Sequence, residues 1–226
     1  MVNSPFLCKQ YQSVRLDVKA LEDLFTYTNS ISSAEQLKKI WKHISEPVPR
    51  FLKLQQIQEA LSFDNELQDD ACNVAVQALF EDEVQRFGGT YFLGWRHFLN
   101  QDFAIHATAG GADWNPEESV YLFNDFHIPY DVSKSRVLYS LSTNHSISQW
   151  QHEFPTNIPA TTNRIDTAFH VLHIMRNWDA KCLVNPASSA SRDLRKVFLA
   201  NLLSFTSNEA ILPENVTRFI QALRRN

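Results

Sequence analysis

Cysteine is scarce: three in 226 residues, Cys8, Cys72 and Cys182, an odd number with no C-x-x-C spacing. That argues against a disulfide framework and against a zinc site, and it predicts reduced thiols in the nucleus or cytoplasm. No stretch approaches the about 18 uninterrupted apolar residues that a membrane span requires, and Met1 to Lys9 has no charged segment followed by a long apolar run. No membrane partner is therefore expected. Positive charge is not in excess either: 21 Lys and Arg against 25 Asp and Glu leave a net charge of -4. A chain of that sign has no overall basic field for phosphate backbones, so nucleic acid is not an expected partner. Repeats and low-complexity tracts are absent as well. Asn144-His145-Ser146 and Asn215-Val216-Thr217 fit the glycosylation sequon, but without a secretory signal they carry no weight.

What is present is an ordinary globular composition, 44% hydrophobic and 20% charged, long enough to bury a sizeable core. Leu16, Val18, Leu21, Leu24 and Phe25 recur at near-helical spacing. Ser32-Ser33-Ala34-Glu35 then offers a capping box for a second helix with a buried stripe of Leu37, Ile40, Trp41 and Ile44, which Pro47 and Pro49 end. Glu46 to Arg50 reads as a connector. A short helical run with Leu54, Ile57 and Leu61 leads to Asp69-Asp70, whose charges suit a helix N-terminus, and Cys72, Val76, Leu79 or Phe80, and Val84 form the next stripe. Between the glycine pairs Gly88-Gly89 and Gly110-Gly111, an aromatic face of Phe92, Trp95, Phe98, Leu99 and Phe103 predicts a core helix. Asn115-Pro116 caps another helix, through about Phe126. Arg136 to Leu141 is the only strand the pattern predicts. Three helical patterns close the chain, roughly Thr167 to Asn177, Ser191 to Phe205 and Pro213 to Arg224, the last with proline at its first position.

Two segments, Trp95-Arg96-His97-Phe98-Leu99-Asn100-Gln101-Asp102-Phe103-Ala104 and Ile128-Pro129-Tyr130-Asp131-Val132-Ser133-Lys134-Ser135-Arg136-Val137, resemble the ubiquitin-like-protease family. The likeness is to the divergent, transposon-associated plant members of this SUMO-protease group. A third segment, Asp166-Thr167-Ala168-Phe169-His170-Val171-Leu172-His173-Ile174-Met175-Arg176-Asn177-Trp178-Asp179, is similar to the family's D-C-G segment and the buried helix after it. The resemblance spans roughly Leu52 to Glu209. It implies an α+β fold, here a predominantly helical remnant of a papain-like cysteine-protease domain with a much reduced sheet. It also implies a domain from 51 to 226, internally shortened between about 140 and 160, behind an N-terminal helical extension at 1 to 50.

The chemistry of that family needs a thiolate that attacks a carbonyl, an imidazole that moves the proton, an acid that orients the imidazole and donors that hold the oxyanion. The family's nucleophile segment, Q-x-N-G-x-D-C-G, laid on Thr161 to Ala168 keeps only Asn163 and Asp166. Thr167 stands at the cysteine position, Thr161 at the oxyanion glutamine and Ala168 at the glycine. A threonine hydroxyl is a far weaker nucleophile than a thiol unless a strong base activates it. The family's histidine lies in an H-W pair; here His145 is followed by Ser146, and the chain between Arg136 and Thr167 is too short for the family's catalytic sheet. The resemblance therefore implies an inactive member of a cysteine-peptidase family, with no cofactor, whose partner is a ubiquitin-like modifier or a SUMO-conjugated protein. An active deconjugating peptidase and a helical interaction module are the alternatives.

Other constellations are weaker. Cys72 lies on an apolar stripe, where a small buried hydrophobe is its usual role, and Cys182 follows Lys181 in a loop-like stretch. Asp166, His170 and His173 stand at i, i+4 and i+7, a spacing that offers a carboxylate and two imidazoles to a metal. The plainer reading makes Val171, Leu172, Ile174 and Met175 the buried face, with the three polar groups at its edge. His97 and His106 read as packing residues and Asp102 as a surface partner of Arg96 or His106. Lys38, Lys39, Lys42 and His43, like Arg218, Arg224 and Arg225, read as solvated helix faces.

Overall fold

A computed structural model describes residues 16–45, 49–87, 163–177, 183, 190–205 and 208–223, with the backbone alone for 80–87. The first two segments of the family resemblance, the strand expected at Arg136 to Leu141, the helix opened by Asn115-Pro116, and Cys8, Cys182, His97, Asp102, His106, Thr161, Arg224 and Arg225 lie outside these residues.

The described fold is mixed α and β, mostly helical, with one two-stranded antiparallel sheet. Helix α1, Val18–Ser30, starts where the Asp17 carboxylate accepts a hydrogen bond from the Ala20 amide at 2.8 Å, which satisfies one of the orphan donors of a helix N-terminus. It buries Ala20, Leu24 and Phe25; Val18, at 79% exposure, belongs to the first turn and not to the buried stripe. Its last carbonyls are taken by another element: Gln58 Nε2 donates to the carbonyls of Thr28 at 2.7 Å and Ile31 at 2.8 Å.

The second helix predicted by the sequence is nearly absent. Helix α2, Ala34–Leu37, is one turn long, and Ser33 makes no side-chain cap bond. The chain then enters strand β1, Ile40–Ile44, which pairs antiparallel with strand β2, Arg50–Lys53, in the register Lys42 with Leu52, His43 with Phe51 and Ile44 with Arg50. Leu37, Ile40, Trp41 and Ile44 have helical spacing, yet Ile40 to Ile44 is a β-branched and aromatic run that gains a ladder with β2. Two corrections follow: the stripe belongs to a strand, with Ile40 exposed, and Arg50, expected in a connector, opens β2. An irregularity between Ile40 and Lys42 breaks the alternation and turns Lys42 inward, to 0% exposure, so it is no solvated helix residue. Its ammonium lies 5.5 Å from the centre of the Phe205 ring, a cation–π contact.

Helix α3, Leu54–Leu61, buries Leu54, Ile57, Ala60 and Leu61. Helix α4, Asp69–Phe87, begins with the two expected acids. From Ala71 to Leu79 nearly every side chain is buried, Asn73 and Gln77 included, so this helix is enclosed on most sides and has no single buried stripe. After the 3-10 turn Arg164–Asp166 come α5, Thr167–Asn177, α6, Ser191–Ser204, and α7, Glu214–Leu223. Pro213 sits one residue before α7, and its carbonyl accepts from the Thr217 amide at 3.0 Å.

Helix α6 is the centre. It packs against α1, α3, α5, α7 and β1, and it buries Leu194, Phe198, Leu199, Ala200, Leu202 and Leu203. Each fully buried leucine contributes about 1.5–3 kcal/mol, so this helix carries much of the fold's stability. The core runs from Ala20 through Trp41 and Leu52 to Leu223, and the boundary drawn at residue 50 therefore falls inside the β1–β2 hairpin and within shared packing. Among the described residues no helix is long and apolar enough to cross a membrane.

Candidate functional site

The residues that carry the third segment of the resemblance converge on the start of α5. Asn163 is exposed and shapes the turn: its side-chain oxygen accepts from the Ile165 amide at 3.1 Å, an Asx turn that directs the chain into Arg164–Asp166. Its amide nitrogen donates to Asp166 Oδ2 at 3.0 Å. The other carboxylate oxygen, Oδ1, accepts from Ser191 Oγ at 2.7 Å and from Arg195 Nη2 at 2.9 Å. Both partners lie on α6, on one face a turn apart.

Arg195 is the largest polar group in the core, 0% exposed against 5% for Asp166. A buried guanidinium is tolerable only when its donors are used. Here Nη1 donates to the Ala60 carbonyl at 2.7 Å, Nη2 also reaches the Asn65 carbonyl at 3.4 Å, and Nε reaches Ser191 Oγ at 3.3 Å. The planar cation stacks 4.3 Å from the centre of the Phe169 ring, and Phe169 meets Phe198 edge to face at 5.2 Å. Burial pulls the guanidinium below its ordinary pKa, and the charge and hydrogen bond of Asp166 oppose that shift. The pair ties the end of α3, the start of α5 and the first turns of α6 into one node.

Thr167 is exposed, and its hydroxyl donates to the Asn163 carbonyl at 3.4 Å. That bond is helix-start chemistry; among the described residues neither an imidazole nor a carboxylate bonds to this hydroxyl to act as its base. Ala168 is half-buried against the core.

Asp166, His170 and His173 do not form a metal-holding group, nor does any other trio of described residues. The Asp166 carboxylate is spent on Arg195, Ser191 and Asn163. Asp166 and His170 are buried, whereas Val171 is 48% exposed, so the expected division into an apolar buried face and a polar edge is corrected: the buried face of α5 is Phe169, His170, Leu172 and Asn177. Cys72 is half-buried; burial, and secondarily the Asp69 charge, push its thiol up, the opposite of what a nucleophile needs.

An apolar cleft of about 30 Å³ opens between α4, α5 and α6, lined by Leu79, Phe169, Leu172 and Phe198, with His173 and Asn201 at its rim. It has room for about one water and none for a peptide. A second groove of about 490 Å³ runs beside β2, lined by Arg50, Phe51, Lys53, Glu59 and Asp70 among others, and its described lining holds no cysteine, histidine, serine or threonine.

Sequence reasoning missed Arg195 and Ser191. The signal was present: a single arginine between Leu194 and Phe198 on the apolar face of a helix implies a buried acceptor, and Asp166 is the acid that closes it. No family model matches the chain, and no curated protein or solved structure does so either.

Proposed function

We propose that the chain is a catalytically inactive domain of the ubiquitin-like-protease type, a helical remnant of a papain-like fold, whose partner in the nucleus or cytoplasm is a ubiquitin-like modifier or a protein that carries one. The observation that carries this reading is the fate of Thr167. The position that corresponds to the family's nucleophile holds a hydroxyl bonded to the Asn163 carbonyl, and the neighbouring Asp166 is locked into a buried ion pair. A nucleophile requires a base in hydrogen-bond reach, and among the described residues no imidazole or carboxylate bonds to this hydroxyl.

Incubation with a SUMO vinyl-sulfone probe tests the reading. The expected result is no adduct by intact mass, for the parent chain and for Thr167→Cys alike, because the deficit is the base as well as the sulfur. Saturable binding of unconjugated SUMO by calorimetry is expected to persist. A covalent adduct on a cysteine of either protein would overturn the inactive assignment, and absence of SUMO binding would remove the proposed partner.

A further inference from the structure

The outer edge of β1, the side away from β2, is occupied by two consecutive side chains from the connection between α6 and α7. The Asn208 carboxamide behaves as a detached peptide group: its oxygen accepts from the His43 amide at 3.1 Å and its nitrogen donates to the Trp41 carbonyl at 3.0 Å. The Glu209 amide donates to the His43 carbonyl at 3.0 Å. The Glu209 carboxylate accepts from the Ser45 amide at 3.3 Å and from the Ser45 hydroxyl, and its other oxygen lies 3.3 Å from His43 Nδ1. Four outward backbone groups, the Trp41 carbonyl, the His43 N–H and C=O and the Ser45 N–H, are thus satisfied one by one, by residues that belong to no strand.

An open strand edge is a template for pairing with another chain. This edge is also self-complementary. In an antiparallel pair centred on His43, the His43 N–H and C=O exchange bonds with their counterparts in a second copy, and the Trp41 carbonyl meets the copy's Ser45 N–H. Those are the groups that Asn208 and Glu209 cover. We infer that Asn208 and Glu209 are an edge guard that keeps β1 from pairing with β1 of a second copy of this chain.

Sedimentation of the full chain over a wide concentration range tests it, with three proteins: the parent, the Asn208→Ala/Glu209→Ala double variant, and that variant with Ser45→Pro, which deletes an outward N–H and blocks edge pairing. The double variant is expected to move from the mass of one chain to that of two, associating at least about tenfold more strongly than the parent, and Ser45→Pro is expected to reverse this. A folded double variant that associates no more than the parent overturns the guard, as does association that Ser45→Pro leaves intact. Amide exchange of the parent tests it without a variant: the His43 and Ser45 amides are expected to exchange at least about tenfold more slowly than unbonded amides, and exchange at the unbonded rate overturns the guard.

Discussion

Arg195 and Asp166 show how one residue's role depends on partners far along the chain. The guanidinium is separated by 29 residues from Asp166 and by 135 from Ala60, yet it uses both as acceptors. A buried pair of this kind adds less than its geometry suggests, because removing two charges from water is costly; breaking it is worse, because one charge is left without its partner. Arg195→Met should therefore lower unfolding free energy by about 3–5 kcal/mol in urea denaturation. Adding Asp166→Asn to that variant should recover part of the loss, since the stranded carboxylate disappears. The sequence singled out Thr167 and Asp166 but did not show their engagement: the hydroxyl bonds to the Asn163 carbonyl and the carboxylate to Arg195.

At the scale of elements, local pattern located α1, α5, α6 and α7 and misread Ile40–Ile44 as helix. Helix α5 has the expected bounds, because Phe169 and Leu172 recur at helical spacing. Strand β1 does not announce itself, because its side-chain spacing imitates a helix and its alternation is broken next to Lys42. Contacts between elements also use carboxylates whose titration is predictable. Glu209, which joins the α6–α7 connection to β1, has its pKa lowered chiefly by the Ser45 hydroxyl; Glu22 of α1, chiefly by Lys196 of α6. A carboxyl lowered in the folded state contributes stability that is complete above the ordinary glutamate range and is lost as pH falls through the lower, folded value. The melting temperature should therefore fall as pH drops below that range, and the Glu22→Gln/Glu209→Gln variant should show a shallower fall. Both groups are exposed, so the change is modest.

For the whole molecule, α6 is where the elements meet. Leu199 is fully buried on it, and Leu199→Ala should cost about 2–5 kcal/mol, the range for leucine truncation in a packed core. Because α1, α3, α5, α7 and β1 all lean on this helix, near-UV and far-UV circular dichroism should report one shared, lowered urea midpoint rather than loss of one region. The shared core also joins Trp41 and Ile44 of β1 to Leu52 of β2, on both sides of residue 50. By itself the sequence determined the paired acids that open α4, the apolar Leu24 and Phe25 of α1 and the approximate bounds of α5, α6 and α7, because a 3.6-residue period and helix-end charges are local properties. Tertiary structure alone decided that Ile40–Ile44 is a strand, that Lys42 turns inward, that Asp166 serves Arg195 and that Asn208 and Glu209 close an edge. For the last two the deciding contacts join residues far apart in the chain, 29 apart for Asp166 and Arg195 and 165 apart for His43 and Asn208, so no short window of sequence contains both partners.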